Sequence, residues 1–260
     1  MSYTHGHHES VLRSHRWRTA ANSAAYLLPH LSPEHTLLDI GSGPGTITAD
    51  LAGHVARVTA SEVKPEALDL ARAEVERRGL SNVDFAVADV HALDFADDSF
   101  DVVHAHQVLQ HVADPVGALR EMRRVSRGVV AARDSDYAAF AWYPLLPELD
   151  EWLALYQKVA RGNGGEPDAG RRLLSWAREA GFGSVEPSAS VWCYADEGDR
   201  AWWGGMWAER VLSSDMAAQA LATGAATEAD LRRISAGWAA WAQEPDGWLA
   251  ILHGEVICRD

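Results

Sequence analysis

Between positions 36 and 133, short apolar runs alternate with segments whose apolar residues recur at helical spacing. The pattern predicts strands over Thr36–Ile40, Ala56–Ser61, Val83–Val87, Phe100–Ala105 and Val129–Arg133. It predicts helices over Gly45–Ala52, Pro65–Arg78 and Pro115–Val125, the last ended near Gly128. Pro65 suits a first helical turn and Gly79 a C-cap. Phe100–Ala105 reads as a strand covered on both faces. Such alternation predicts a parallel, doubly wound sheet. Ahead of it, Val11, Trp17, Ala21, Ala24, Ala25 and Leu28 space like one or two amphipathic helices over Ser10–Leu31, closed by Pro29 and Pro33. After Asp134 the pattern changes. Tyr137–Arg161 reads as an aromatic-rich helix, and Arg171–Ala180 as a helix capped by Gly181. Ser184–Tyr194 reads as a strand. Asp196–Gln243 reads as helical, with Trp202, Trp203, Trp207, Trp238 and Trp241, and Trp248 just past it. Leu249–Cys258 reads as a final strand. Two late strands around a helical insertion predict an antiparallel pair at one edge of the sheet, with the insertion as a lid.

Length and composition narrow the class. At 260 residues and 47% hydrophobic content the chain suits one elaborated α/β domain. The apolar runs fall short of a membrane span and no charged-then-apolar leader opens the chain, so a cytoplasmic protein without a membrane partner is expected. Cys193 and Cys258 lack any CxxC or zinc spacing and are expected to be small core residues. The net charge of −14 disfavours nucleic acid as the main partner. His5, His7 and His8 have no acidic or cysteine companion at ligand spacing, so no metal site is expected.

The chemistry concentrates in LLDIGSGPG, Leu37–Gly45. A dinucleotide turn needs G-x-G-x-x-G, and here the spacing is Gly41-x-Gly43-x-Gly45 with Thr46 in the third-glycine place. A P-loop needs Lys-Ser/Thr, which is missing. Asp39 at the strand end repels phosphate and favours a cation. S-adenosylmethionine has a sulfonium, an ammonium and no phosphate. Glu62, ending the second strand, suits two ribose hydroxyls, and Asp89 after the third suits an adenine amine, with Val90 covering the ring. All three acids fall outside the carboxyl ends of adjacent strands, where open α/β sheets bind ligands.

The runs LLDIGSGPGTITADLA, ASEVKPEALDLAR and ADVHALDFADDSFDVVHAHQVLQHVADP resemble class I S-adenosylmethionine-dependent methyltransferases of the UbiE/type 11 kind, over Leu37–Asp134. The resemblance implies a Rossmann-like seven-stranded sheet with its last strand reversed. It puts Asp39, Gly41 and Gly43 on the first motif, Glu62 on the ribose acid, Asp89 on the adenine acid, and His106 beside the cofactor. SHRWRTAANSAAYLLPHL, RDSDYAAFAWYP and PDGWLAILHGEVICR resemble a subgroup of small-molecule methyltransferases of secondary metabolism, some acting on dithiols. Two departures stand out: Ala21 replaces a frequent Glu, and only Ser126-Arg-Gly128 remains of a usual Pro-Gly-Gly turn. On this reading residues 1–36 are a helical cover, 37–134 the cofactor-binding core, and 135–260 the substrate-side helices and last two strands of a single domain.

Other candidates carry two readings. Gln107, Gln110 and His111 begin a helix at the cofactor, as helix-start residues or as substrate contacts. Arg18 either clamps the cofactor carboxylate, with Trp17 as a shield, or forms a surface salt bridge. Asp136, Tyr137, Trp142, Tyr143 and Trp207 are the substrate-side candidates, although aromatics of this kind also build cores. Methyl transfer from a sulfonium is an in-line displacement, and a base matters only for a protonated acceptor. His106 and His111 are expected to titrate near neutrality and serve as that base, ahead of His253 and Glu255. The expected acceptor is small and largely apolar, reacting at S, N, O or C. A ubiquinone/menaquinone-type C-methyltransferase and a non-catalytic binder of S-adenosylmethionine are the alternatives. A monomer or homodimer is expected.

Overall fold

The computed structural model describes residues 14–260. His5, His7, His8 and Val11 lie outside the described residues. The chain divides into two compact units. Among the described residues, one comprises 15–134, 169–190 and 253–260; the other comprises Ser14, 135–168 and 191–252.

The first unit holds β1 (Thr36–Ile40), α1 (Thr46–Leu51), β2 (Arg57–Glu62), α2 (Pro65–Arg77), β3 (Val83–Val87), β4 (Phe100–His106), α3 (Pro115–Val125) and most of β5 (Ser126–Ser135). β1 pairs in parallel with β2 and β4, β2 with β3, and β4 with β5. The later elements are β6 (Ala141–Tyr143), α4 (Pro147–Gly162), α5 (Leu173–Ala180), β7 (Ser184–Tyr194), α6 (Glu197–Ser213), α7 (Asp215–Ala222), α8 (Glu228–Gln243) and β8 (Trp248–Arg259). The sheet order is β3-β2-β1-β4-β5-β8-β6, with β7 paired to β8 off this path.

Period-two alternation explains why the sheet is covered twice. Leu38, Ile40, Val103, Ala105, Val130 and Ala132 pack against Leu119 and Met122 of α3 and Leu173 and Trp176 of α5. Their neighbours Leu37, Val102, Val129 and Ala131 pack against Ile47 and Leu51 of α1 and against Ala24 and Leu27. Burying each Leu or Val here contributes about 1.5–3 kcal/mol.

Several expectations need correction. The resemblance implies seven strands, and the described residues form a sheet of eight, because Ala141–Tyr143 forms β6, antiparallel to Trp248–Ala250. Tyr137–Arg161 is therefore not one helix. A 3-10 turn, Tyr137–Ala139, precedes β6, and α4 starts only at Pro147. Pro144 and Pro147 keep the chain before α4 from being helical. Among the described residues before 36, positions 14–16 are helical, Ala20–Ser23 form a single helical turn capped by Thr19, and Leu28–His30 form a 3-10 turn. Ser126-Arg-Gly128 is no turn: α3 runs directly into β5, and Gly128 lets the Asp101 carbonyl lie 2.6 Å from where a Cβ would stand. Cys193 faces solvent, while Cys258 is buried and its thiol is pushed up to about 12 by burial.

In the second unit the expected helix Asp196–Gln243 is three helices. Ser214 separates α6 from α7, and a link through Gly224 leads to α8, whose start is fixed by a Thr227–Asp230 capping box. Indole rings form its core. Trp152 meets Trp207 at 4.6 Å and Trp238 at 4.9 Å, both edge-on. None of the described helices is long and apolar enough to cross a membrane.

Candidate functional site

The site is built at the carboxyl ends of β1, β2 and β4, inside the first unit. Between β1 and α1 the chain turns through Gly41, Gly43 and Gly45, with φ of +67°, +54° and +78°. Only glycine adopts these angles cheaply. At Gly45 a Cβ would stand 2.7 Å from Ala71 Cα, so the bare glycine brings α2 close. At Gly43 the nearest atom to such a Cβ is His15 Nδ1, 4.0 Å away, so this backbone is open to a ligand. The Ser42 hydroxyl beside it is buried and has no partner among the described residues.

Three carboxylates mark the strand ends. Glu62 Oε1 accepts the Gly43 N–H at 2.7 Å. Burial raises the Glu62 carboxyl above its ordinary range, partly offset by the Gly43 bond, with the Asp39 charge adding to the rise. Asp39 is buried, its Oδ2 accepting from Thr48 Oγ1 at 2.5 Å and its Oδ1 from His104 Nδ1 at 3.0 Å. Asp89 is exposed and accepts from the His91 backbone N–H at 3.0 Å and ring Nδ1 at 2.8 Å; these bonds hold its carboxyl below its usual range. Val90 is buried next to it. This set suits a ligand that brings hydroxyls, an amine and a positive charge to acceptors. A phosphate would meet carboxylates instead of a lysine.

Past β4 the chain does not begin a helix as expected. Gln107 takes φ +55°, a 3-10 turn covers Leu109–His111, and α3 starts at Pro115 behind the Asp114 cap. Gln107 Nε2 donates to His253 Nε2 at 2.9 Å, and Gln110 Nε2 to His111 Nε2 at 3.0 Å. His106 is buried and lies 6.5 Å from the His253 ring.

The expected titration near neutrality is overturned for both histidines. Burial pushes His106 well below its ordinary value, helped by the charges of Arg133 and Arg18. Burial takes His111 to about 3, with Arg18 adding to the fall. Both rings are neutral at pH 7, and the Nε2 lone pair of His111 is already occupied. Glu255 is committed too: it pairs with Arg133 at 3.1 Å and accepts from Ser188 and Ser190.

Arg18 therefore lies within electrostatic range of His106 and His111, and Trp17 beside it is half-buried. The remaining substrate-side candidates belong to the second unit. Tyr137 stacks on Tyr156 at 4.0 Å, Trp207 is buried among Trp152, Trp203 and Trp238, and Asp136 and Trp142 are buried. Tyr143 is exposed and pairs with Trp248 across β6 and β8. Sequence reasoning missed His15, His104 and Asp134. For His104 a signal existed: His104 and His106 interrupt an apolar run two residues apart, hence on one face. Among the described residues no group of three or more His, Cys, Asp or Glu has metal-binding geometry.

Known proteins share this architecture. The family described as methyltransferase domain matches residues 38–130. An uncharacterized methyltransferase of Schizosaccharomyces pombe is 33% identical over 272 residues, covering 99% of this chain and 96% of its own. A ubiquinone/menaquinone biosynthesis C-methyltransferase of Klebsiella pneumoniae is 29% identical over 171 residues, 58% of this chain and 67% of its own. Among solved structures, a Haemonchus contortus phosphoethanolamine N-methyltransferase in complex with phosphomonomethylethanolamine and S-adenosylhomocysteine has a TM-score of 0.56 at 17% identity, covering 91% of this chain and 52% of its own. That last likeness concerns the fold.

Proposed function

Because the chain belongs to the class I S-adenosylmethionine-dependent methyltransferases, we propose that it methylates a small, largely apolar, natural-product-like acceptor by in-line displacement. The observation that carries the cofactor side is the open Gly43 backbone facing the Glu62 carboxylate, 2.7 Å from carboxylate oxygen to amide nitrogen. In this reading Gly41 and Gly43 admit the amino-acid portion and ribose of S-adenosylmethionine. Glu62 accepts the ribose hydroxyls, Asp89 the adenine amine, and Val90 covers the ring. Asp39 supplies negative charge near the cationic end, and Arg18 with Trp17 faces the carboxylate. The sulfonium supplies a methyl carbon already activated by positive charge.

The protein's own part is alignment and water exclusion. Gln107, Gln110 and the neutral rings of His106 and His111 offer hydrogen bonds without carrying positive charge at pH 7. An acceptor that ionises unaided, such as an acidic phenol or thiol, fits this end of β4 better than one needing a strong base. The −14 net charge supports a small molecule over a nucleic acid.

Isothermal titration with S-adenosylhomocysteine tests the cofactor side. Glu62→Ala should weaken binding about tenfold or more, as loss of charge-assisted hydrogen bonds does; unchanged affinity would reject the site. Turnover of phenols, thiols and indoles, compared with a quinol precursor, tests the acceptor. The match to the ubiquinone/menaquinone enzyme favours a second reading, C-methylation of a quinol, and turnover of the precursor alone would select it.

A further inference from the structure

A buried polar pair under the glycine turn has no place yet in the reading above. Asp39 and His104 are cross-strand partners in the β1–β4 register. His104 is completely buried, and its Nδ1 faces Asp39 Oδ1 at 3.0 Å. A carboxylate only accepts, so Nδ1 carries the proton and donates. The second carboxylate oxygen accepts from Thr48 Oγ1 of α1 at 2.5 Å. Ser61 Oγ of β2 bonds the Asp39 carbonyl at 3.1 Å. Donors from three different elements thus hold one residue, two bonds, one to each carboxylate oxygen, fixing the side chain and one fixing the backbone two residues before Gly41.

His104 Nε2 is buried with no hydrogen-bond partner among the described residues. The ring thus spends its one hydrogen bond among the described residues on the Asp39 carboxylate. A buried carboxylate held this way is a fixed negative charge directly beneath a turn open to a ligand, arranged before the ligand arrives.

We infer that His104, together with Thr48, is a positioning residue that holds the Asp39 carboxylate as the fixed anionic partner of the cationic end of S-adenosylmethionine. The inference rests on the proposed cofactor site. His104 acts through Asp39 and touches no reacting atom.

Calorimetric binding of S-adenosylmethionine to the full chain tests this, with thermal melting as the control for fold. His104→Phe and Thr48→Val each delete one donor, and each should weaken binding about tenfold, the size of one hydrogen bond to a charged group. His104→Asn, which offers an amide N–H close to the Nδ1 position, should restore affinity to within about threefold. In an Asp39→Asn background, His104→Phe should change affinity less than about twofold, because the group it positions is gone. If His104→Phe does not fold, Thr48→Val and His104→Asn carry the test. A lowered melting temperature with S-adenosylmethionine affinity within twofold of wild type in the folded variants would make His104 merely structural and overturn the inference. Unchanged affinity in Glu62→Ala would remove the site reading itself, and this inference with it. Weakened binding in Glu62→Ala with unchanged binding in Thr48→Val would sink the inference alone.

Discussion

Asp134, at the end of β5, gives the sharpest test of the energetics. It is fully buried, and its Oδ1 accepts the backbone N–H groups of Gln110, at 3.1 Å, and of Leu109. Its Oδ2 has no partner among the described residues. Burial raises its carboxyl from 3.8 to about 7, against the two backbone bonds and the Arg133 charge, which lower it. A raised folded value means that the native state holds the proton more tightly than the unfolded chain. Its stabilising contribution is complete below about pH 4 and is lost as pH rises through 7. At ~1.4 kcal/mol per pH unit, that rise corresponds to at most about 4 kcal/mol across pH 4–8. Asp134→Asn keeps an acceptor for Leu109 and Gln110 but cannot ionise. Its amide hydrogens replace an oxygen without a partner, at a pH-independent cost of about 1–3 kcal/mol. Urea unfolding of both proteins at pH 5, 6, 7 and 8 should show the variant less stable at pH 5, gaining on the wild type up to about pH 7 and levelling off between pH 7 and 8. Other titrating groups cancel in the difference. A wild-type-minus-variant difference that stays flat over this range would refute the assignment.

Two further predictions concern the same region. Glu255→Ala leaves the buried Arg133 guanidinium without its carboxylate, and a loss of about 3–5 kcal/mol is expected by denaturant unfolding; a loss under 1 kcal/mol would mean that Ser190 alone suffices. His111→Gln should keep kcat within about fivefold, with no change in the pH–rate profile between 6 and 8, since burial takes His111 to about 3 and a ring neutral throughout that window adds no inflection. Loss of an inflection in the variant would restore His111 as a base.

The parallel core was legible because its signals are local. Leu37, Leu38 and Ile40 announce a strand through consecutive apolar residues, and the Gly41-Gly43-Gly45 spacing excludes two phosphate folds through what it lacks. The missed elements failed for equally physical reasons. β6 is three residues long, and only its pairing with Trp248–Ala250 makes it a strand. The turn after β4 was read as a helix start because the left-handed Gln107 leaves no sequence mark. Helical spacing over Asp196–Gln243 was real, but Ser214 and the Gly224 link divide it.

The sequence by itself determined the sheet, the glycine turn and the type of donor, since alternation and backbone permissiveness act over a few residues. The chemistry of the site was decided only by tertiary structure. Asp39 and His104 lie 65 positions apart, and Gln107 and His253 lie 146 apart; β1–β4 register brings the first pair together, and the sheet order β4-β5-β8 the second. His106 and His111 stay neutral, and Asp134 keeps its proton near neutrality, because burial withdraws water from charge. Burial is a property of what the rest of the chain stacks on a residue, and no short stretch of sequence contains it.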